Sequence, residues 1–123
     1  MKKDIETLEE IELFVKQFYK TLCELPEMDH LYNKVIQVNW EHHIPIMVNF
    51  WGSLILREGK YKGDIMAHHH KVMKVIPLTR ELFRTWEECF IEVLDSLYEG
   101  ENCNKTKKRV VAMSKSLIQK LNI

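Results

Sequence analysis

Apolar residues recur every three to four positions through most of this chain, and this helical periodicity constrains its fold more than any other feature. Thr7 and Glu10 have the spacing of a capping box, which predicts that a helix begins there. Pro26 is predicted to end that helix, because the residue before a proline avoids helical backbone angles. The apolar stripe between these limits consists of Leu8, Ile11, Phe14, Val15, Phe18 and Leu22.

The same kind of pattern predicts three further long helices, after a short helix at the corner near Met28. Asn39 is a suitable N-cap for the second long helix, although Pro45 within it predicts an irregular or late-starting first turn. Thr79 is expected to cap the third long helix, and Gly100 to stop it. The fourth long helix lies near the C-terminal end of the sequence.

No segment alternates polar and apolar residues as a half-buried strand does, so the predicted fold class is all-α. Glycines and the loss of periodicity between about residues 59 and 77 predict a loop that carries one short helix. A chain of 123 residues is expected to form a single domain spanning residues 1–123. Four long helices in two antiparallel pairs, interrupted by this loop, leave room for a flat ligand between the pairs.

The charges of the chain cancel, since it has 18 basic and 18 acidic side chains. It therefore lacks the broad positive field that attracts nucleic acid or an anionic membrane surface. No stretch approaches the ~18 apolar residues of a membrane-spanning helix. We expect neither nucleic acid nor membrane as a partner and favour a small ligand. A basic stretch near the end, expected to be a solvated helix face, is Lys105, Lys107, Lys108 and Arg109.

The cysteines indicate a reducing, cytoplasmic location. Cys23, Cys89 and Cys103 are odd in number and far apart, and the first residues lack the apolar run of a secretion signal. Two of these thiols are expected to pack in the interior and one to lie near the surface. Redox sensing is the alternative interpretation.

The run His68, His69 and His70 is a candidate for metal ligation. Neighbours on a helix point about 100° apart, so at most one of the three can face inward, and local periodicity does not select which. A zinc site would need four ligands, usually with cysteines in close pairs, which this sequence lacks. A porphyrin iron needs one protein nitrogen on its proximal side and a large apolar slot, and the many aromatic residues favour that ligand.

Tyr19 and Trp86 lie on strongly apolar predicted helices and allow two interpretations. Either each ring packs in the core with its polar atom satisfied locally, or the hydroxyl and the indole N–H converge on one point of a dry pocket. There they would hold bound dioxygen through strong hydrogen bonds. His43 is likewise either a gate or hydrogen-bond partner over that pocket, or an exposed side chain.

A set of short motifs, each weak by itself, is specific in its order and spacing. The motifs are Phe18-Tyr19, Trp40-x-x-His43-x-Pro45, Phe50-Trp51, Tyr61-x-Gly63, His69, Pro77-Leu78-Thr79, Phe83-x-x-Trp86 and Leu97-Tyr98-Glu99-Gly100-Glu101. Together they resemble the group III truncated haemoglobins over nearly the whole chain. In this resemblance the interval from Tyr61 to His69 singles out the middle histidine of the triplet.

The resemblance implies a shortened globin fold, a two-over-two helical sandwich around one haem b (iron protoporphyrin IX). It makes His69 the proximal iron ligand. Tyr19 and Trp86 correspond to the distal hydrogen-bonding pair, and His43 to the mobile distal histidine. The residues expected against the cofactor are Tyr32, His43, Phe50, Trp51, Tyr61, His69 and Trp86.

Two positions depart from the family's usual pattern. Tyr32 stands where a phenylalanine commonly packs on the haem, so its hydroxyl must reach solvent, a propionate or another distal group. Ile65 stands where proline is common, which loosens the loop ahead of His69. Neither change removes a predicted ligand.

The function implied by the resemblance is reversible binding of dioxygen, and of other diatomic gases such as CO and NO, for storage, sensing or transport. An unidentified reductase is the expected protein partner. An alternative is a peroxidase-like or nitric-oxide-detoxifying enzyme, which would use the same distal residues. A further alternative is a haem-free helical interaction domain, whose aromatic stripes are only core and whose basic last helix meets a partner.

Overall fold

A computed structural model of the protein describes residues 2–57 and 78–123. The described residues are helical and contain no strand, which confirms the all-α prediction. The predicted site residues Tyr61, His68, His69 and His70 lie outside the described residues, as does Ile65. The elements are helix α1 (Leu8–Leu22), helix α2 (Pro26–Asp29), a π-helical segment (His30–Val35), and helices α3 (Trp40–Ile55), α4 (Arg80–Leu97) and α5 (Glu101–Lys120).

The caps predicted for α1 and α4 are confirmed. The Thr7 side chain accepts a hydrogen bond from the backbone N–H of Glu10, whose carboxylate accepts one from the backbone N–H of Thr7. Thr79 caps α4 by accepting a hydrogen bond from the N–H of Leu82. These bonds satisfy N–H groups that a first helical turn leaves without a partner.

Helix α3 differs from the prediction in its first turn. Asn39 occupies the N-cap position, but its side chain makes no capping bond with the described residues. The helix begins at Trp40 and runs without interruption through Pro45, so the expected irregular or late-starting turn is wrong. The missing N–H of Pro45 deprives only the carbonyl of Glu41 of its helical partner, and Glu41 is exposed to water.

The long helices form two pairs that pack on each other. Helix α1 packs against α3 and α4 packs against α5, while α1 also contacts α4 and α3 contacts α5. Phe14 and Phe18 of α1 meet Phe90 of α4 edge to face, with ring centroids 4.7 and 5.2 Å apart. The predicted stripe on α1 supplies much of this core, with Ile11, Phe14, Val15, Phe18 and Leu22 buried.

The segment before α1 is bonded to the start of α5. The Asp4 carboxylate accepts hydrogen bonds from the backbone N–H groups of Asn102 and Cys103, at 2.8 and 2.9 Å, and so caps α5 from a remote part of the chain. Gly100 has a φ of 148°, and a Cβ there would lie 2.5 Å from the Cγ of Asp4. Glycine is therefore required at this corner. The Tyr98 hydroxyl also donates to the carbonyl of Glu10.

The cysteines and the basic stretch near the C-terminal end lie largely as predicted. Cys89 and Cys103 are buried and Cys23 is half-buried, as expected. In the basic stretch Lys105, Lys108 and Arg109 are exposed, and Lys107 is half-buried beside the carboxylate of Asp95. None of the helices in the described ranges is both long and apolar enough to cross a lipid bilayer.

Candidate functional site

Four rings from three elements form what we call the polar ring cluster: Tyr19 of α1, Tyr32 of the π-helical segment, and Trp40 and His43 of α3. The ring centroid of Tyr19 lies 5.0 Å from that of Trp40, 5.2 Å from that of His43 and 5.8 Å from that of Tyr32. Trp40 is 5.7 Å from His43 and 5.8 Å from Tyr32. The structure thus brings three predicted site residues together, namely Tyr19, Tyr32 and His43, and Tyr19 at their centre is 8 % exposed.

A hydrogen bond joins two of the predicted distal residues. The Tyr19 hydroxyl and the Nε2 atom of His43 are 3.2 Å apart. When Nε2 carries the ring proton, His43 donates to the tyrosine oxygen and the Tyr19 proton is left for another acceptor. When Nε2 is unprotonated, Tyr19 donates to the histidine instead. The histidine tautomer therefore decides whether the Tyr19 hydroxyl can donate to a ligand.

The two tyrosines of the cluster stay neutral over the physiological range. Burial raises the pKa of Tyr19 well above its ordinary value, and the nearby Tyr32 and Cys23 side chains raise it further when they ionise. Burial raises the pKa of Tyr32 as well, with a smaller contribution from Cys23. A neutral phenol keeps its proton, so Tyr19 is a hydrogen-bond donor rather than a phenolate ligand.

Trp86 joins the site through Phe18 rather than by direct contact with Tyr19. Its ring centroid lies 5.5 Å from that of Phe18, perpendicular to it, and 5.3 Å from that of Phe90. Phe18 in turn lies 4.9 Å from Tyr19. Within residues 2–57 and 78–123, no atom accepts a hydrogen bond from the half-buried Trp86 indole. Convergence of Tyr19 and Trp86 on one ligand atom stays a prediction.

Helix α3 combines an apolar sequence with incomplete burial. Phe50 and Trp51 are buried, with ring centroids 5.0 Å apart, and Trp51 reaches Phe90 at 4.9 Å. Several other apolar side chains on the helix are only half-buried, namely Ile44, Met47, Val48 and Leu54. Apolar surface left partly uncovered inside a small domain suits a large flat apolar ligand, so the described residues fit a haem.

Two residues that the sequence did not single out, Asn33 and Asp29, complete the site together with Trp40, which stood out only as part of a motif. The Trp40 indole N–H donates to the Oδ1 of Asn33 at 2.8 Å, and the Nδ2 of Asn33 donates to a carboxylate oxygen of Asp29 at 2.8 Å. The spacing of these residues along the sequence could have indicated that they belong to the site. Asp29 and Asn33 are four residues apart in helical sequence, and Trp40 precedes His43 by three, which places each pair on one helix face.

Comparisons with known proteins agree in sequence and in structure. No protein-family model matches the chain. The chain is 27% identical over 112 residues to the group 3 truncated hemoglobin ctb of Campylobacter jejuni, a match that covers 89% of this chain and 86% of that protein. It is also similar to the crystal structure of the group III truncated hemoglobin from Campylobacter jejuni, with a TM-score of 0.85 and 25% identity, over 98% of this chain and 95% of the other.

These matches confirm the resemblance drawn from the sequence motifs. They also confirm the fold, because the described helices form the two-over-two sandwich of a truncated globin. The resemblance extends over nearly the full length of both chains, so it does not depend on a single shared segment.

Proposed function

We propose that this chain is a truncated haemoglobin of group III that holds one haem b and binds dioxygen reversibly, in the cytoplasm. The similarity to a protein of that name supports the cofactor. One observation carries the ligand-binding role: the buried Tyr19 hydroxyl, inside a ring of aromatic side chains, lies within hydrogen-bond distance of a histidine on the facing helix. An unidentified reductase as partner belongs to the same proposal.

His69 is the proposed proximal ligand, through a neutral imidazole nitrogen. Phe50 and Trp51 with the half-buried apolar side chains of α3 would line the haem, together with Tyr32, His43, Tyr61 and Trp86. When bound, the haem iron supplies the site that takes up a diatomic gas such as O₂, CO or NO. The chain supplies the apolar surroundings and the hydrogen-bond donors.

The distal residues act through their protons. Tyr19 donates its hydroxyl proton to a ligand atom that carries partial negative charge, and His43 holds the tyrosine oxygen from the other side. Trp86 donates its indole N–H to the same ligand. A hydrogen bond to a charged atom contributes roughly 1.5–3 kcal/mol, which is about ten- to a hundredfold in an equilibrium constant. Two such donors predict slow release of oxygen.

The decisive experiment is an absorption spectrum of the purified protein in its oxidised, reduced and carbon-monoxide-bound forms. We expect a haem spectrum whose main band shifts on reduction and again on addition of carbon monoxide. A protein that is colourless, and stays colourless after haem is added, would exclude this function. That result would favour the haem-free helical interaction domain.

A second candidate function is peroxide or nitric-oxide chemistry at the same site. The contact between Tyr19 and His43 favours it, because His43 is half-buried and can pass a proton between solvent and the buried hydroxyl. Stopped-flow turnover with peroxide or nitric oxide and a reductant tests this activity. Rates no higher than those of an oxygen-storage globin would exclude it.

A further inference from the structure

We propose that Asn33 is a positioning residue: it fixes the Trp40 ring and, through that ring, the Tyr19–His43 pair. This inference rests on the proposed function, since it assigns a role toward the ligand pocket. The observation behind it is a chain of two short hydrogen bonds, from Trp40 to Asn33 and from Asn33 to Asp29, each 2.8 Å long.

The two outer groups need a side chain between them that both accepts and donates a hydrogen bond, and the Asn33 amide does both. An indole N–H can only donate a hydrogen bond, and an ionised carboxylate can only accept one. The side-chain oxygen of Asn33 accepts from Trp40 while its NH₂ group donates to Asp29, so both partners are satisfied and the amide orientation is fixed. The second NH₂ proton also allows a hydrogen bond to the Cys23 side chain.

The backbone around Asn33 is held as firmly as its side chain. Asn33 lies in the π-helical segment, a widened helical turn of the kind that recurs at functional sites. The segment is closed by hydrogen bonds from the N–H of Ile36 to the carbonyl of Leu31 and from the N–H of Val38 to the carbonyl of Tyr32, both 2.9 Å. Asn33 is therefore a fixed anchor and not a loose surface amide.

The anchored ring contacts both members of the distal pair. Trp40 lies 5.0 Å from Tyr19 and 5.7 Å from His43, measured between ring centroids. Trp40 and His43 lie three residues apart on α3, so they share a helix face. Without the hydrogen bond to Asn33, the Trp40 ring is held by packing alone and can change its orientation. The Tyr19 hydroxyl and the His43 imidazole then lose the fixed ring against which both pack.

A charge swap tests this role in the haem-loaded protein. In Asn33→Asp, two carboxylates face each other and the bridge to Asp29 breaks. In the double variant Asp29→Asn with Asn33→Asp, the new amide donates to the new carboxylate, which still accepts from Trp40. Gln17→Leu is the matched control, because it removes an amide hydrogen bond to Thr21 on an exposed part of α1.

Two measurements are made on each variant: the oxygen dissociation rate, and the NMR resonance of the Trp40 indole N–H in the carbon-monoxide-bound form. The variant Trp40→Phe identifies that resonance by its loss. We expect Asn33→Asp to speed oxygen dissociation by about two- to tenfold, a modest change because Asn33 acts on the ligand only through Trp40, and to shift the indole resonance. The double variant should restore both, and Gln17→Leu should change neither.

Each contrary result has a distinct meaning. A haem-loaded Asn33→Asp protein with an unchanged dissociation rate overturns the role of Asn33 alone. The role of Asn33 is also overturned if the double variant restores the indole resonance but not the oxygen dissociation rate, because the rate then does not depend on how the Trp40 ring is held. A protein that takes up no haem overturns the proposed function, and this role with it.

Discussion

The hydroxyl of Tyr19 and the Nε2 atom of His43 lie 3.2 Å apart, although 24 positions separate the two residues in sequence. The packing of α1 on α3 brings them together. The pair is enclosed by rings, and burial holds the pKa of Tyr19 well above its ordinary value. The result is a protonated phenol whose proton is directed either to His43 or to a ligand, according to the histidine tautomer.

Replacing Tyr19 by phenylalanine removes that proton while it keeps the ring. We expect oxygen to dissociate roughly ten- to a hundredfold faster, because a charge-assisted hydrogen bond is lost. Stopped-flow displacement of oxygen measures the rate. The matched control is Tyr98→Phe, which removes a hydroxyl bonded to the backbone of Glu10 and should leave the rate within about twofold. An unchanged rate in Tyr19→Phe would remove Tyr19 from the ligand site.

Replacing His69 by alanine should abolish tight haem retention, because His69 is the proposed proximal ligand of the iron. The measurement is the haem content after purification and the rate of haem transfer to an acceptor globin. His68→Ala and His70→Ala are the matched controls and should keep the wild-type spectrum. If a neighbouring variant loses haem and His69→Ala does not, the resemblance has identified the wrong histidine of the triplet.

Alkaline pH should destabilise the fold through the buried tyrosines. Burial raises the pKa of both Tyr19 and Tyr32, so the folded state keeps protons that the unfolded state releases near pH ~10. Their contribution to stability is therefore full below about pH 10 and is lost as the pH rises toward the folded-state values.

Urea unfolding from about pH 8 to about pH 11 measures this dependence. Tyr32→Phe should flatten it, because one of the two groups no longer titrates. If the folded wild type develops more phenolate absorbance near pH ~10 than the folded Tyr32→Phe variant, Tyr32 titrates in the ordinary range, and its raised pKa is contradicted.

Replacing Asp4 by alanine should lower the free energy of unfolding by about 1–2 kcal/mol, the usual cost of losing a helix cap. The carboxylate accepts from the N–H groups of Asn102 and Cys103, and both would lose their partner. Asp4→Asn keeps one oxygen acceptor and should cost less. Thermal and urea unfolding give the values. Equal stability of all three proteins would show that water replaces the cap without cost.

Signals that act within one turn of helix could be predicted from the sequence. Thr7 with Glu10, and Thr79 with Leu82, depend on residues three apart, and both caps are present in the structure. Pro45 led to the wrong prediction of an irregular first turn in α3. The free-energy cost of a proline within a helix depends on whether the carbonyl that loses its hydrogen bond is buried or exposed. Here that carbonyl belongs to Glu41, an exposed residue.

Contacts that reach beyond one helical turn could not be predicted in the same way. Trp40 and Asn33 acquire their roles only when the π-helical segment folds back on α3, and no local pattern encodes that approach. The choice of His69 over its neighbours likewise came from the resemblance and not from periodicity. The spacing of the motifs was informative because it reflects which residues the fold brings to one pocket, and no single residue shows this.

The bond between Asp4 and the start of α5 spans 98 residues of sequence. During synthesis Asp4 therefore emerges long before its partners exist, and the bond can form only after Asn102 and Cys103 have been made. We expect a bond of such long range to be absent from the folding transition state, so that it affects the unfolding rate more than the folding rate. Asp4 therefore stabilises the native state after folding is complete. Loss of its carboxylate should shorten the lifetime of the native state more than it delays folding.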